Sequence, residues 1–113
     1  MERFAWKARI LPGKQAEYVR RHEEIWPEMT AVLNEAGIRN YTIWTDGVDL
    51  FGYYECDSVE KAAAIQAGSP VVDRWNIHMK DVMVMVMVID PRTGTAVQLK
   101  QVFLHEGSAS QAS

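Results

Sequence analysis

Asn40-Tyr41-Thr42-Ile43-Trp44-Thr45 and Leu50-Phe51-Gly52-Tyr53-Tyr54-Glu55-Cys56 flank the tetrapeptide Asp46-Gly47-Val48-Asp49, and this centre of the chain decides how the rest is arranged. The flanks have strand composition and the Asp-Gly between them is a tight-turn signal, so a β-hairpin is predicted. On its first strand Tyr41 and Ile43 point to one side, Asn40, Thr42 and Trp44 to the other. Toward the N-terminus, Phe4, Trp6, Ala8 and Ile10 alternate with Arg3, Lys7 and Arg9. That period of two marks a strand with one buried face, closed by Pro12-Gly13. A helix follows from about Gln15 to Ile25. Pro27 lacks the N–H donor and clashes with the preceding turn, so it is expected to end or kink that helix just beyond Trp26. Helical spacing then resumes at Met29, Val32, Leu33 and Ala36, with Gly37 as the stop.

On the C-terminal side, Asp57 with Glu60 three residues later predicts a capped helix ending near Gly68. Ser69-Pro70 predicts another, with the hydroxyl at the cap and proline in the first turn. Val72, Trp75, Met79 and Val82 share one side of it. The run Val82-Met83-Val84-Met85-Val86-Met87-Val88-Ile89 suits a buried strand, yet it carries no periodicity to separate a strand from a helix extension. Asp90 to Thr95 reads as a loop, Val97 to Leu104 as a last strand, and Gly107 to Ser113 as a disordered polar tail. The order is β-α-β-β-α-β with the first helix bent and the second split. Such an α+β chain forms a ferredoxin-like antiparallel sheet with helices on one face, a single domain over residues 1–106.

Composition excludes several classes. A chain of 113 residues with net charge −3 and a pI near 5.6 lacks the basic stripe of a nucleic-acid binder. No apolar run approaches the ~20 residues that span a bilayer. Glu2, Arg3, Lys7 and Arg9 interrupt what would be a secretory signal, and the one cysteine, Cys56, has no internal disulfide partner. A soluble cytoplasmic domain is expected. Four tryptophans and four tyrosines exceed what so small a core requires, which points to an aromatic-lined pocket or interface.

The chemistry concentrates in Tyr18-Val-Arg-Arg-His22-Glu-Glu-Ile-Trp26-Pro27. Tyr18 and His22 are one helical turn apart, so a phenol and an imidazole project together. Such a pair binds a polyol and exchanges protons with it near neutral pH. The blander reading, a solvated helical face with a surface histidine, stays open from spacing alone. No metal is expected: His22, His78 and His105 fall on different elements without zinc spacing. Cys56 has no neighbouring histidine, and no Gly-x-Ser-x-Gly elbow or phosphate-cradling loop is present. Taken singly, Trp75 and Trp26 read as core residues, and Tyr41 either as core or as pointing into a pocket between sheet and helix.

Taken together, these segments resemble the L-rhamnose mutarotase family. The resemblance lies in Tyr18-Val-Arg-Arg-His-Glu-Glu-Ile-Trp-Pro-Glu-Met29, Gly37-Ile-Arg-Asn-Tyr41-Thr-Ile43, Arg74-Trp75, Met79-Lys-Asp-Val-Met83 and the closing Leu99-Lys-Gln-Val-Phe-Leu104. It implies a dimeric ferredoxin-like α+β barrel type of fold and a cofactor-free isomerase that interconverts the anomers of L-rhamnose or a related 6-deoxy sugar. It also implies that His22 is the catalytic acid, Tyr18 and Tyr41 are sugar-binding, and Trp75 is the first of two adjacent binding tryptophans. The second of that pair is Asn76 here, an amide where the family stacks a ring, and the family's polar stretch after Asp81-Val-Met is the Val/Met run. The expected partners are a monosaccharide and a second copy of the chain, since eight consecutive uncharged strand-forming residues need cover. Rival readings are a mutarotase for another sugar such as L-fucose, a cofactor-independent oxygenase or haem-handling domain, and a non-catalytic small-ligand-binding module.

Overall fold

Glu2–Ile10 forms β1, and in the computed structural model, which describes residues 1–92 and 96–107, it has a strand on each side. The elements that follow are α1 (Gln15–Glu23), α2 (Pro27–Glu35), β2 (Arg39–Asp46), β3 (Asp49–Cys56), α3 (Val59–Ala67), α4 (Pro70–Met79) and β4 (Met83–Met85). The four strands make one sheet in the order β2-β3-β1-β4, every pair antiparallel. This is the ferredoxin-like order that the β-α-β-β-α-β reading predicts. Alternation sets the two faces: Trp6, Ala8, Ile10, Leu50, Tyr54 and Cys56 are buried, whereas Arg9, Trp44 and Phe51 are exposed. Helix residues Tyr18, Met29, Val32, Ala62, Trp75 and Met79 complete the core on the buried face.

Local chemistry explains the boundaries. In the hairpin Asp46 pairs with Asp49, so Gly47-Val48 is a two-residue turn, and Gly47 takes a φ of 63° that other residues resist. Ser69 Oγ accepts from Val72 N, with Pro70 opening α4. The α3 cap lies one residue later than predicted. Ser58, not Asp57, is the N-cap and accepts from Lys61 N at 3.1 Å. At Pro27 the first of the two expected outcomes, an end and not a kink, is found. The proline opens α2 behind the extended N-cap Trp26, so α1 and α2 are separate helices rather than one bent helix. A proline in the first turn gives up only an N–H that no helix would have bonded.

The C-terminal part departs further. The Val/Met run is strand-like, but only Met83–Met85 joins the sheet, continued by one bond from Val86 N to Lys7 O. Val97–Leu104 is not a strand. Its contacts are the Ile89–Ala96 bridge just before it and bonds from Val97 N to Val88 O and Leu99 N to Ala5 O. β4 occupies the Ala8–Ile10 end of that β1 edge, and farther along it this segment bonds only Ala5 among the described residues, through Gln98 Oε1 and Leu99 N. The end of the predicted 90–95 loop and the predicted tail beyond Gly107 lie outside the described residues.

Candidate active site

Between the sheet and the helices lies a cleft of about 880 Å³, and Tyr18, His22, Tyr41, Trp75 and Asn76 all line it. Residues from α1, β2 and α4 thus converge although as many as 58 positions separate Tyr18 from Asn76. On α1, helical spacing stacks the Tyr18 and His22 rings at a centroid distance of 4.4 Å. Trp75 on α4 meets His22 edge-on at 5.5 Å, and Trp26 meets Trp75 edge-on at 5.2 Å. His78 packs on the same pair, 5.2 Å from Trp26 and 5.6 Å from Trp75, so two of the three histidines flank one indole.

His22 Nδ1 lies 3.1 Å from the Tyr18 carbonyl oxygen. A carbonyl only accepts, so Nδ1 carries the hydrogen and Nε2 carries the lone pair. Burial lowers the His22 pKa from its usual value, and the Tyr18 carbonyl bond opposes that shift only in part. The imidazole is therefore a neutral base at pH 7. Burial pushes Tyr18 well above the ordinary tyrosine range, with the Tyr41 phenol adding to it. Burial likewise raises Tyr41 to about 12, opposed by a bond from Trp6 Nε1. Both phenols keep their hydrogens at neutral pH and act as donors. Tyr18 Oη is buried with no hydrogen-bond partner among the described residues, which is costly unless something polar enters the cleft.

Tyr41 owes its aim to an irregularity in the hairpin. The β2–β3 register shifts between Arg39 and Thr42, and Asn40 stands at a φ of 51°. Asparagine tolerates that left-handed conformation, and the Asn40 Nδ2 bond to Glu55 Oε1 at 2.7 Å pins it. Bulges of this kind redirect the side chains beside them. Arg21 ties α1 to the end of α4. It donates through Nε to Glu17 Oε2 at 2.6 Å and through Nη1 to His78 O and Asp81 Oδ1 at 2.5 and 2.7 Å. That clamp fixes where His22 stands relative to Trp75.

The sequence reading did not single out Trp6, Tyr54, Gln66 or Asp73, which also line the cleft. Trp6 and Tyr54 fall on inward positions of the strand alternation, a signal that separates core from surface but not core from pocket. Among the described residues no three His, Cys, Asp or Glu side chains gather closely enough to hold a metal ion.

An aromatic cleft with one neutral imidazole, protonated phenols and an amide at its edge is suited to a small polyol. Comparison with known proteins agrees. The L-rhamnose mutarotase family model matches residues 3–105. A protein named L-rhamnose mutarotase from Brucella anthropi is 38% identical over 104 residues, covering 90% of this chain and 94% of that protein. One from Agrobacterium fabrum is 40% identical over 85 residues, 74% of this chain and 78% of that one. The crystal structure of L-rhamnose mutarotase from Formosa agariphila superposes with a TM-score of 0.74 at 27% identity, over 94% of this chain and all of that one. With the sheet order, the helix placement and nearly the full length in common, this chain belongs to the L-rhamnose mutarotase family.

Proposed function

We propose that this protein is a mutarotase that interconverts the α and β anomers of L-rhamnose or a related 6-deoxy sugar, with His22 moving the proton. The observation that carries this reading is the His22 ring itself: neutral, with Nδ1 held by its own helix and Nε2 bearing a lone pair, in a cleft that also holds a buried phenol without a hydrogen-bond partner among the described residues. Ring opening removes the proton from the anomeric hydroxyl O1, forms the C1=O bond, and breaks C1–O5 as O5 takes up a proton. Both oxygens are bonded to C1, so one nitrogen serves both: Nε2 accepts from O1 and then donates to O5. Rotation about C1–C2 presents the other face of the carbonyl, and the same steps in reverse close the ring. No cofactor or covalent intermediate is needed. Positioned acid–base groups contribute ~10²–10⁴-fold, which suits a reaction that water alone performs slowly.

In this reading Tyr18 and Tyr41 donate hydrogen bonds to sugar hydroxyls, Trp75 offers a flat apolar face to the sugar's C–H surface, and Asn76 bonds one further hydroxyl. The working form is a homodimer in which a second copy covers the apolar surface around Val84–Ile89 and Val97–Leu104. Val84, Val88, Ile89, Val102 and Phe103 are all exposed in the single chain, which supports that assembly. The lone buried Cys56 and the absence of any membrane-length apolar helix among the described residues suit a cytoplasmic setting.

Saturation-transfer NMR of anomeric exchange tests the reading directly, with L-rhamnose and L-fucose first in a panel of sugars. Exchange faster than the buffer rate for at least one 6-deoxy sugar is the expected result. A protein that binds such a sugar without speeding its exchange is a binding module instead.

A further inference from the structure

We infer that Trp6 is a positioning residue for sugar opening that acts through Tyr41, an inference that rests on the mutarotase reading above. Trp6 Nε1 donates to Tyr41 Oη at 3.0 Å, and both residues line the cleft. An indole nitrogen only donates, so in this bond the phenol can only accept. Tyr41 must then direct its own hydrogen elsewhere. With Trp6 occupying one side of Oη, the cleft is where that hydrogen finds an acceptor, and a sugar oxygen supplies it. The Trp6 N–H thus converts a phenol with a free rotor into a donor of fixed direction.

A second observation shows that the indole is seated for this contact and not merely filling space. Trp6 pairs across the sheet with Gly52. A Cβ on Gly52 would fall 2.0 Å from Trp6 Cε2 and 2.3 Å from both Cζ2 and Nε1. The pyrrole edge that carries the donor therefore lies directly over a backbone position with no side chain. Any larger residue at 52 displaces the N–H from Tyr41. Trp6 is only 7% exposed, and the one hydrogen bond its N–H makes among the described residues is to the Tyr41 oxygen.

The test replaces Trp6 by β-(3-benzothienyl)alanine, in which sulfur stands where the N–H was and the ring shape is kept, alongside Trp6→Phe and Tyr41→Phe. Loss of the N–H is expected to raise KM for L-rhamnose roughly three- to tenfold, the range for one neutral hydrogen bond, with the benzothienyl variant still folding cooperatively. Because Trp6 acts through Tyr41, the substitution should add nothing in a Tyr41→Phe background. Effects that multiply, or a benzothienyl variant with normal KM, overturn the proposal. The indole ¹⁵N–¹H resonance of Trp6 should move in Tyr41→Phe, and an unmoved resonance also overturns it. If the wild type speeds exchange of neither L-rhamnose nor any other 6-deoxy sugar in the panel, the mutarotase reading falls. The same cycle is then read on the dissociation constant for L-rhamnose, where absent coupling or absent binding overturns the positioning role as well.

Discussion

Trp6 and Trp44 sit on the two faces of the same sheet, the first 7% and the second 66% exposed. Trp6 faces the helices, has its N–H bonded, and lines the cleft. Trp44 faces away, across from Phe51 on β3, and beyond Lys7 and Arg9 of β1 the exposed Val84, Val88 and Ile89 form a second apolar region. One face thus has its partners within the chain and the other does not. The helix-covered face is organised around polar atoms with assigned directions, namely His22 Nδ1 and Tyr41 Oη. The outer region presents exposed apolar area separated by surface polar pairs such as Arg9 with Asp49 and Asn40 with Glu55. The first arrangement suits chemistry, the second association.

The sharpest way to break this contrast is to charge the outer region. Val84→Lys together with Val86→Lys would bury two ammonium groups if a second copy packs there, each at a cost of several kcal/mol. Association should weaken by at least ~10³-fold, since each ~1.4 kcal/mol is a factor of ten. Light scattering would report a monomer or an insoluble chain in place of a dimer. A wild type that is a stable monomer at micromolar concentration removes the premise.

On the other face, His22→Ala should slow anomeric exchange by at least ~10²-fold while the fold persists. Its pH dependence has a fixed sign. Burial lowers the folded His22 pKa below its usual value of 6.5. The neutral base therefore survives below pH 6.5, and the acid limb of kcat/KM falls there rather than at 6.5. Stability follows the same direction. In that window the unfolded chain binds the proton more readily, so stability is full above pH 6.5 and is lost as pH falls toward the folded pKa. His22→Ala should flatten that slope, which denaturant titrations at several pH values would show. Replacing His78 should leave exchange near normal.

The β1 alternation, the Asp-Gly turn and the Ser69-Pro70 start were legible because each is a local constraint that tertiary contacts had no reason to override. At Pro27 the break was legible but its kind was not, because proline is compatible with both a kink inside one helix and the first turn of the next. Only the extended backbone of Trp26 decides between them. Val97–Leu104 has strand composition, yet its backbone bonds β1 only through Leu99 N at Ala5 O, and composition does not say which segments pair. At the cleft, helical spacing brought Tyr18 to His22, whereas Trp75 and Asn76 came from the family resemblance. The Trp6–Tyr41 bond was hidden because it depends on cross-strand register and on the absence of a side chain at Gly52.

That absence gives the next prediction. Gly52→Ala forces the indole aside, and overpacking of this kind costs about 1–3 kcal/mol. In a domain of this size the thermal midpoint should drop by roughly 4–8 °C for each kcal/mol. In a Trp6→Leu background, which removes the atoms that a Cβ would strike, the same change should cost markedly less. Equal losses in both backgrounds would place the strain somewhere other than the Trp6 ring.

The smallest effect concerns the edge of the cleft where the two regions of the molecule come closest in character. Asn76 lines the cleft yet is exposed, one residue after the buried Trp75. An exposed amide bonds water at little cost in the empty site, so its contribution appears only as a difference between sugars: one whose hydroxyl replaces that water is favoured over one whose C–H does not. Asn76→Trp exchanges this discrimination for stacking area. It should therefore change the ratio of exchange rates between L-rhamnose and L-fucose by a few-fold, the scale of one neutral hydrogen bond at about 0.5–1.5 kcal/mol. The rate on the better sugar should change less than the ratio does. Saturation-transfer NMR on both sugars measures the two numbers in one sample series. Parallel losses on every sugar would show that Asn76 holds α4 in place and does not read the substrate.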